Sequence, residues 1–75
     1  MPITADQLKP QTSGIIEEVS NSPLKINLME LGFLPGKTIT LSYVAPFNGP
    51  LAFLLEGTLL ALRKSEAALI QIQPA

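Results

Sequence analysis

Residues 28–36, with the sequence Leu-Met-Glu-Leu-Gly-Phe-Leu-Pro-Gly, mark the place where the chain changes from helix to strand. Leu24, Leu28 and Leu31 are spaced so that they share one face of a helix. A glycine and a Pro-Gly pair follow this periodic segment, and both interrupt a helix. The stretch therefore predicts one short helix near residues 23–31, followed at once by a turn and a strand.

The ends of this helix carry their own signals. Ser22 is a suitable N-cap, and Pro23 suits the first helical position, where its missing N–H costs no hydrogen bond. Gly32 supplies the left-handed residue that closes many helices. Pro35 fixes φ for a turn, and Gly36 accepts the positive φ that a type II turn needs at its next position.

Alternating apolar and polar residues on both sides of the helix predict short strands. Residues 14–19 form the first of them, and the alternation at residues 38–43 places Ile39, Leu41 and Tyr43 in the core, with the tyrosine hydroxyl at its rim. Further strands are expected at residues 51–56, 58–62 and 69–73, with a tight turn at Gly57-Thr58. About five strands and one short helix predict a mostly β fold, a small barrel that hides its strand edges.

Two segments outside the strands also carry expectations. Residues 1–12 read as a lead-in with one turn near residues 6–8, and Leu8 is expected to anchor it to the core. Residues 63–68 are expected to form a single helical turn before the last strand.

The composition narrows the class of protein. The chain has 75 residues, 47% of them hydrophobic, and a net charge of −1, which favours one folded domain over residues 1–75. Its few lysines and arginines do not form the basic face that a nucleic-acid partner needs. Residues 51–62 are too short to span a bilayer, and no signal peptide is visible. We expect a cytoplasmic protein with no nucleic-acid partner and no direct insertion into the membrane.

The sequence offers no side chains suited to catalysis. It contains no cysteine and no histidine, which excludes thiol nucleophiles, serine–histidine triads and imidazole acid–base catalysis. Glu17 and Glu18 are adjacent on a strand and are expected to point to opposite faces, so they cannot act as a carboxylate pair. The other carboxylates are scattered, whereas a transition-metal site is expected to use imidazole or thiolate. We expect no catalytic residues, no metal ligands, no cofactor and no enzymatic activity.

An outward-facing leucine pair is the first candidate partner site. If residues 51, 53 and 55 point inward, Leu54 points outward, and Leu59 lies near it on the returning strand. Two interpretations stay open at this point. Either the helix or the N-terminal segment covers the pair, or the pair is an exposed apolar patch that binds a partner.

Four more residues complete the candidate contact set. Phe47 lies in a proline-bracketed loop, residues 45–50, whose Asn-Gly pair is a strong turn signal. Its ring is either tucked back onto the barrel or exposed as an anchor. Leu34, in the Pro-Gly turn, is expected to face solvent. Arg63 and Lys64 either form a polar rim that docks an acidic surface or belong to a solvated turn with local charge pairing.

Three segments of the chain match a known family in order and spacing. They are Leu8-Lys9-Pro10 with Ser13-Gly14-Ile15-Ile16, then residues 28–36, then Ala45-Pro46, Gly49-Pro50, Leu60-Ala61-Leu62-Arg63-Lys64, Glu66-Ala67 and Ile70-Gln71-Ile72. Together they cover nearly all of residues 8–72. The chain resembles the FeoA-like proteins, small cytoplasmic partners of the bacterial ferrous iron transporter FeoB.

This resemblance implies an SH3-like small β-barrel without catalytic activity. It further implies a role in ferrous iron uptake through contact with FeoB, at its cytoplasmic GTP-binding region, with modulation of the nucleotide cycle as a hypothesis. Transition metal ion binding is implied only at the level of the family. Exposed apolar residues would also suit a homo-oligomer.

The chain departs from the family pattern at two places. Lys25-Ile26-Asn27 stands where the family commonly has an arginine, and Asn48-Gly49-Pro50 replaces a common Gly-Asp-Pro loop. The resemblance therefore does not extend to a contact that depends on that arginine or on the aspartate of that loop.

A different class of function remains as the alternative. The same barrel forms the C-terminal domain of metal-dependent repressors of the diphtheria toxin repressor type. An SH3-like adaptor or regulator domain that binds another protein or a peptide is thus the second hypothesis. The chain supplies no DNA-binding helical domain and starts with its own methionine, which favours a stand-alone protein.

Overall fold

A computed structural model describes residues 3–75 of the chain. Within these residues, six antiparallel strands form one sheet in the order β1-β6-β2-β3-β4-β5. The elements are β1 (Ile3–Thr4), a 3₁₀ turn (Ala5–Gln7), β2 (Ser13–Val19), α1 (Lys25–Glu30), β3 (Thr38–Val44), β4 (Leu51–Leu55), β5 (Thr58–Leu62), α2 (Lys64–Ala67) and β6 (Ile70–Pro74). The predicted mostly β fold with a short helix near residues 23–31 is confirmed. The expectation that the sheet hides its strand edges is not met within the described residues, because β1 and β5 stand at the two ends of the strand order.

The N-terminal segment contributes more than a lead-in. Its first two residues lie outside the described residues, but Ile3 pairs with Ile72 and so adds the short strand β1 to the sheet. The expected turn is present as the 3₁₀ turn, and Leu8 is buried as predicted. The strand was missed because two residues are too few to show an alternating pattern.

The core of the protein is apolar throughout the described residues. No polar or charged residue is buried there, and no buried side-chain nitrogen or oxygen lacks a hydrogen-bond partner. Phe33 and Phe53 are fully buried and pack edge to face, with ring centroids 6.5 Å apart and planes at 85°. This is the arrangement that the charge distribution of aromatic rings favours.

The helix α1 is shorter than expected and buries only one of its three leucines. Leu28 is buried, whereas Leu24 is 38% exposed and Leu31 is 52% exposed. Both lie outside the six helical residues, one before the first and one after the last, so the prediction that the three leucines share one face of the helix is wrong. Ser22 and Pro23 also precede the helix: the Ser22 Oγ accepts the Leu24 N–H at 3.1 Å, which caps the preceding turn.

The glycine stop and the Pro-Gly turn are both confirmed. Gly32 has φ +113° and Gly36 has φ +92°, values that other residues rarely adopt. The Lys37 N–H donates to the Leu34 carbonyl at 3.1 Å, which closes the predicted turn. The Gly36 N–H donates to the Ile16 carbonyl at 2.8 Å, so the turn is tied to the sheet.

A β-bulge in β2 changes the direction of two glutamates. The register against β6 shifts between Ile16 and Glu18, which leaves Glu17 as the extra residue. A bulge interrupts the alternation of side chains. Both glutamates are exposed, so the expectation that they point to opposite faces is wrong.

A second bulge, in β3, turns a predicted core residue outward. The register against β4 shifts between Leu41 and Tyr43, which leaves Ser42 as the extra residue. Ile39 and Leu41 are buried as predicted, but Tyr43 is 56% exposed. The core assignment of Tyr43 is therefore wrong, because the alternation restarts after Ser42.

Candidate protein-binding surface

The outward-facing leucine pair is present on the β4–β5 hairpin. Leu54 and Leu59 are direct cross-strand partners, and they are 41% and 54% exposed. They point outward because their neighbours on β4, Leu51, Phe53 and Leu55, are buried in the core. Of the two interpretations left open by the sequence, the exposed patch fits these values, and a role in partner binding stays a prediction.

The turn beside this pair has two residues, and an ion pair connects it to the residue before β3. Glu56 (φ +50°) and Gly57 (φ +81°) form a two-residue connection of the type I′ kind, so the turn lies one residue earlier than expected. The Lys37 Nζ lies 3.0 Å from the Glu56 Oε2. Both side chains are well exposed, so this ion pair orients the turn more than it stabilises the fold.

Leu34 lies at the same end of the sheet as this turn. It is 36% exposed, and its carbonyl accepts the N–H of Lys37, the residue that pairs with Glu56. We call Leu34, Leu54 and Leu59 the leucine group.

The β3–β4 loop presents Phe47 to solvent. Phe47 is 99% exposed, and it has φ +59° while Asn48 has φ +58°. The Gly49 N–H donates to the Pro46 carbonyl at 3.1 Å, so Phe47-Asn48 are the central residues of the turn. The Asn-Gly pair therefore does not form the tip, and the exposed alternative is the one observed for Phe47.

Gly49 is present for space and not for its φ. A Cβ at this position would lie 2.7 Å from the Ala45 Cβ and 3.0 Å from the Pro46 carbonyl oxygen. The left-handed conformation falls instead on Phe47, where a bulky residue is unusual. An exposed aromatic residue in a strained conformation adds nothing to the core and is a typical feature of functional sites.

Arg63 and Lys64 lie at the same end of β4 as this loop. The register pairs the first residue of β4 with Leu62, so β5 ends beside the β3–β4 loop. Both basic side chains are exposed, and no ion pair within residues 3–75 includes them. The Glu66 Oε1 accepts the Arg63 backbone N–H at 2.7 Å, which starts α2. The local charge pairing considered from the sequence is therefore not observed.

The six predicted contact residues form two groups and not one surface. The leucine group lies toward one end of β4, and Phe47, Arg63 and Lys64, which we call the Phe47 group, lie at the other. The five residues of β4 separate the two ends by about 13 Å.

Sequence reasoning also missed further exposed apolar residues, among them Ile15 on β2, which is 43% exposed. Tyr43 and Val44, at 56% and 45% exposure, extend the Phe47 group. The bulge at Ser42, which has no signal in the sequence, turns Tyr43 outward, whereas Val44 is exposed as the last residue of β3. Ile26 on α1 is 69% exposed. It is two residues from Leu24 and from Leu28, so helical spacing alone places it on another face.

Other kinds of site find little support in the described part of the chain. Residues 3–75 contain no group of three or more histidine, cysteine, aspartate or glutamate side chains placed to hold a metal ion. None of their helices is long and apolar enough to cross a membrane. A cavity of about 280 Å³ opens between the 3₁₀ turn and the C-terminal residues, and none of the six predicted contact residues lines it.

The fold and the sequence motifs lead to one family. The family model of the FeoA domain matches residues 3–74. The chain belongs to the FeoA family. This family is linked to ferrous iron transport and is not a known family of enzymes. A search of curated proteins finds no match to the chain.

Solved structures of family members share the fold. A FeoA-like protein from Clostridium acetobutylicum is 27% identical, with a TM-score of 0.91, and the match covers 97% of this chain and 86% of that one. Stenotrophomonas maltophilia FeoA complexed with zinc is 30% identical, with a TM-score of 0.84 and coverage of 95% and 89%. It is described as a procaryotic SH3 domain protein and a candidate activating factor for ferrous iron transport. The predicted SH3-like fold is thus confirmed.

The fold also occurs inside larger regulators. A manganese-dependent transcriptional repressor is 10% identical to this chain, with a TM-score of 0.87. The match covers 99% of this chain but 42% of the repressor. At this identity the likeness concerns the fold alone.

Proposed function

We propose that this FeoA family protein is a cytoplasmic accessory protein of ferrous iron uptake that binds the FeoB transporter and regulates it without catalysing a reaction. The observation that carries the proposal is the exposed cross-strand pair of Leu54 and Leu59. A protein of this size gains from burying each of its leucines. Two adjacent leucines left in water on a regular hairpin are better explained by a partner than by the fold.

The Phe47 group provides the second part of the proposed contact. A rigid aromatic side chain that is exposed in the free protein is well suited to enter a pocket of a partner. Arg63 and Lys64 flank the same end of the sheet and favour an acidic surface around that pocket. The GTP-binding region of FeoB is the proposed location of this surface, so binding is expected to influence its nucleotide cycle.

A direct binding measurement tests the proposal. The purified protein is titrated against the soluble cytoplasmic GTP-binding domain of FeoB from the same genome, with and without a GTP analogue. Saturable binding is the expected result, and a dependence on nucleotide would indicate regulation. An absence of binding both to this domain and to full-length FeoB in detergent would refute the proposal.

Matched variants identify the surface. Leu54→Glu places a charge in the leucine group and is expected to weaken FeoB binding while the thermal unfolding curve stays cooperative. Gln73→Glu adds the same charge to an exposed position on β6 and is expected to bind normally. If both variants bind like the wild type, the leucine group is not the contact.

An SH3-like peptide adaptor is the alternative function. Two exposed aromatic residues, Tyr43 and Phe47, lie at one end of the sheet, and grooves for proline-rich peptides are lined by aromatic residues. The other two phenylalanines are buried, and the chain has no tryptophan. We expect no binding in a titration with proline-rich peptides, and saturable binding would favour the adaptor.

A further inference from the structure

The outer edge of β5 is an unpaired strand without the usual protection. Within residues 3–75, β5 pairs with β4 alone and stands at the end of the strand order. Native edge strands are commonly protected by charges, prolines or bulges. Thr58–Leu62 has the sequence Thr-Leu-Leu-Ala-Leu, and its register against β4 is regular over all five residues. This edge is therefore open to another strand.

The direction of the backbone groups decides which residues would pair. The two-residue turn makes Leu55 and Thr58 a hydrogen-bonded pair, so Thr58, Leu60 and Leu62 direct their backbone groups toward β4. Leu59 and Ala61 consequently direct their N–H and carbonyl groups away from the sheet.

We infer that β5 pairs with β5 of a second copy of this chain, antiparallel and across a two-fold axis at Leu60. In this register Leu59 of each copy faces Ala61 of the other, and all four outward N–H and carbonyl groups of each strand are paired. The interface is self-complementary, as two-fold symmetry requires. Registers centred on Leu59 or on Ala61 would pair a residue beyond the strand.

The charges beside β5 fit the same register. Glu56 lies just before the strand, and Arg63 and Lys64 lie just after it. An antiparallel pair centred on Leu60 brings the turn that carries Glu56 of one copy beside the segment that carries Arg63 and Lys64 of the other, and the symmetry repeats this proximity. The basic residues carry no ion pair within the described residues of the single chain, so they are available to the second copy, whose Glu56 would then be shared between its own Lys37 and this contact.

This pairing uses the edge of the hairpin and leaves its outer face open. The Leu54 and Leu59 pairs of the two copies then lie on one continuous sheet. The inference does not depend on the proposed contact with FeoB, because it is tested on this protein alone.

Charge exchange tests the register. Sedimentation velocity is expected to show a concentration-dependent dimer of the wild type. Glu56→Lys and Lys64→Glu each act twice in the dimer and are expected to raise its dissociation constant about tenfold, while the double variant restores it. Monomeric wild type at all concentrations, or a double variant weaker than both single variants, would overturn the inference.

Variants that change the backbone or introduce a cysteine test the pairing of the two β5 strands independently of charge. Ala61→Pro removes an outward N–H without disturbing the pairing with β4 and is expected to abolish the dimer, whereas Ala61→Ser keeps it. The chain has no cysteine, so Leu60→Cys introduces a single thiol next to the axis, where mild oxidation is expected to form a covalent dimer. Ala61→Cys faces Leu59 and is expected to cross-link much less. Equal cross-linking at both positions would exclude the proposed register.

Discussion

The two hairpin connections of the sheet each place two consecutive residues at positive φ but differ in which residues these are. The β4–β5 turn places Glu56 and Gly57 at positive φ, and the β3–β4 loop places Phe47 and Asn48 there. In the first turn one of the two residues at positive φ is a glycine, and the other, Glu56, forms an ion pair with Lys37. In the second, the glycine lies outside the tip and a phenylalanine with 99% exposure takes its place.

We interpret the β4–β5 turn as a connection required by the fold and the β3–β4 loop as a site of contact with a partner. Glycine and asparagine accept positive φ at little cost, whereas phenylalanine does not. The β3–β4 loop could form equally well with a small residue at its tip. An aromatic residue there is therefore expected to contribute to binding and not to stability.

The largest expected effect is on partner binding. Phe47→Asn keeps a residue that accepts positive φ but removes the ring, and it is expected to weaken FeoB binding by about 2 kcal/mol, roughly 30-fold. Thermal unfolding is expected to be unchanged or slightly raised, because the ring is exposed. A fully stable variant that binds as tightly as the wild type would contradict the role of Phe47 as an anchor.

The next effect in size concerns the stability of the same loop. Gly49→Val would bring its side chain against the Ala45 Cβ and the Pro46 carbonyl, since a Cβ already lies within 2.7 Å and 3.0 Å of these atoms. We expect a loss of about 1.5 kcal/mol in the free energy of unfolding, measured by urea denaturation. No loss would mean that the loop can open to accept the side chain.

A smaller loss is expected in the other turn. Gly57→Ala meets no atom within 4 Å, so only the backbone conformation at φ +81° opposes it. The expected cost is about 1 kcal/mol in the same denaturation measurement. A cost larger than that of Gly49→Val would mean that the positive φ at Gly57 constrains the fold more than the lack of space at Gly49.

The smallest effect is expected from the ion pair. Glu56→Gln removes the charge opposite Lys37 and is expected to cost less than about 1 kcal/mol, because both side chains are well exposed. The difference between the wild type and the variant should shrink further at high salt. A salt-independent loss would show that Glu56 stabilises the turn through something other than charge.

Most of the fold was predictable because its signals are local. The glycine stop, the Pro-Gly turn and the alternation in β6 each depend on a few consecutive residues, and the structure contains them all. Ile70 and Ile72 are buried, as their spacing predicts.

The two wrong side-chain directions in β2 and β3 come from features that depend on distant pairing. The extra residues at Glu17 and Ser42 appear only when β2 and β3 are set against their neighbours. They decide the directions of Glu18 and Tyr43, and no pattern within one strand reveals them. The same limit applies to the candidate site. Its residues were named individually, but their separation into two groups follows from the register of the sheet.

The pairing of β1 with β6 brings the two ends of the described chain together. Ile3 lies beside Ile72, and the Ala75 N–H donates to the Ser13 carbonyl at 3.1 Å. Both ends therefore leave the sheet from neighbouring strands, as is common for domains that tolerate insertion or fusion. Such a module can be attached to another polypeptide through either end, or through both, without opening its core. Occurrence of the same fold as a part of a longer repressor chain is a natural outcome of this geometry.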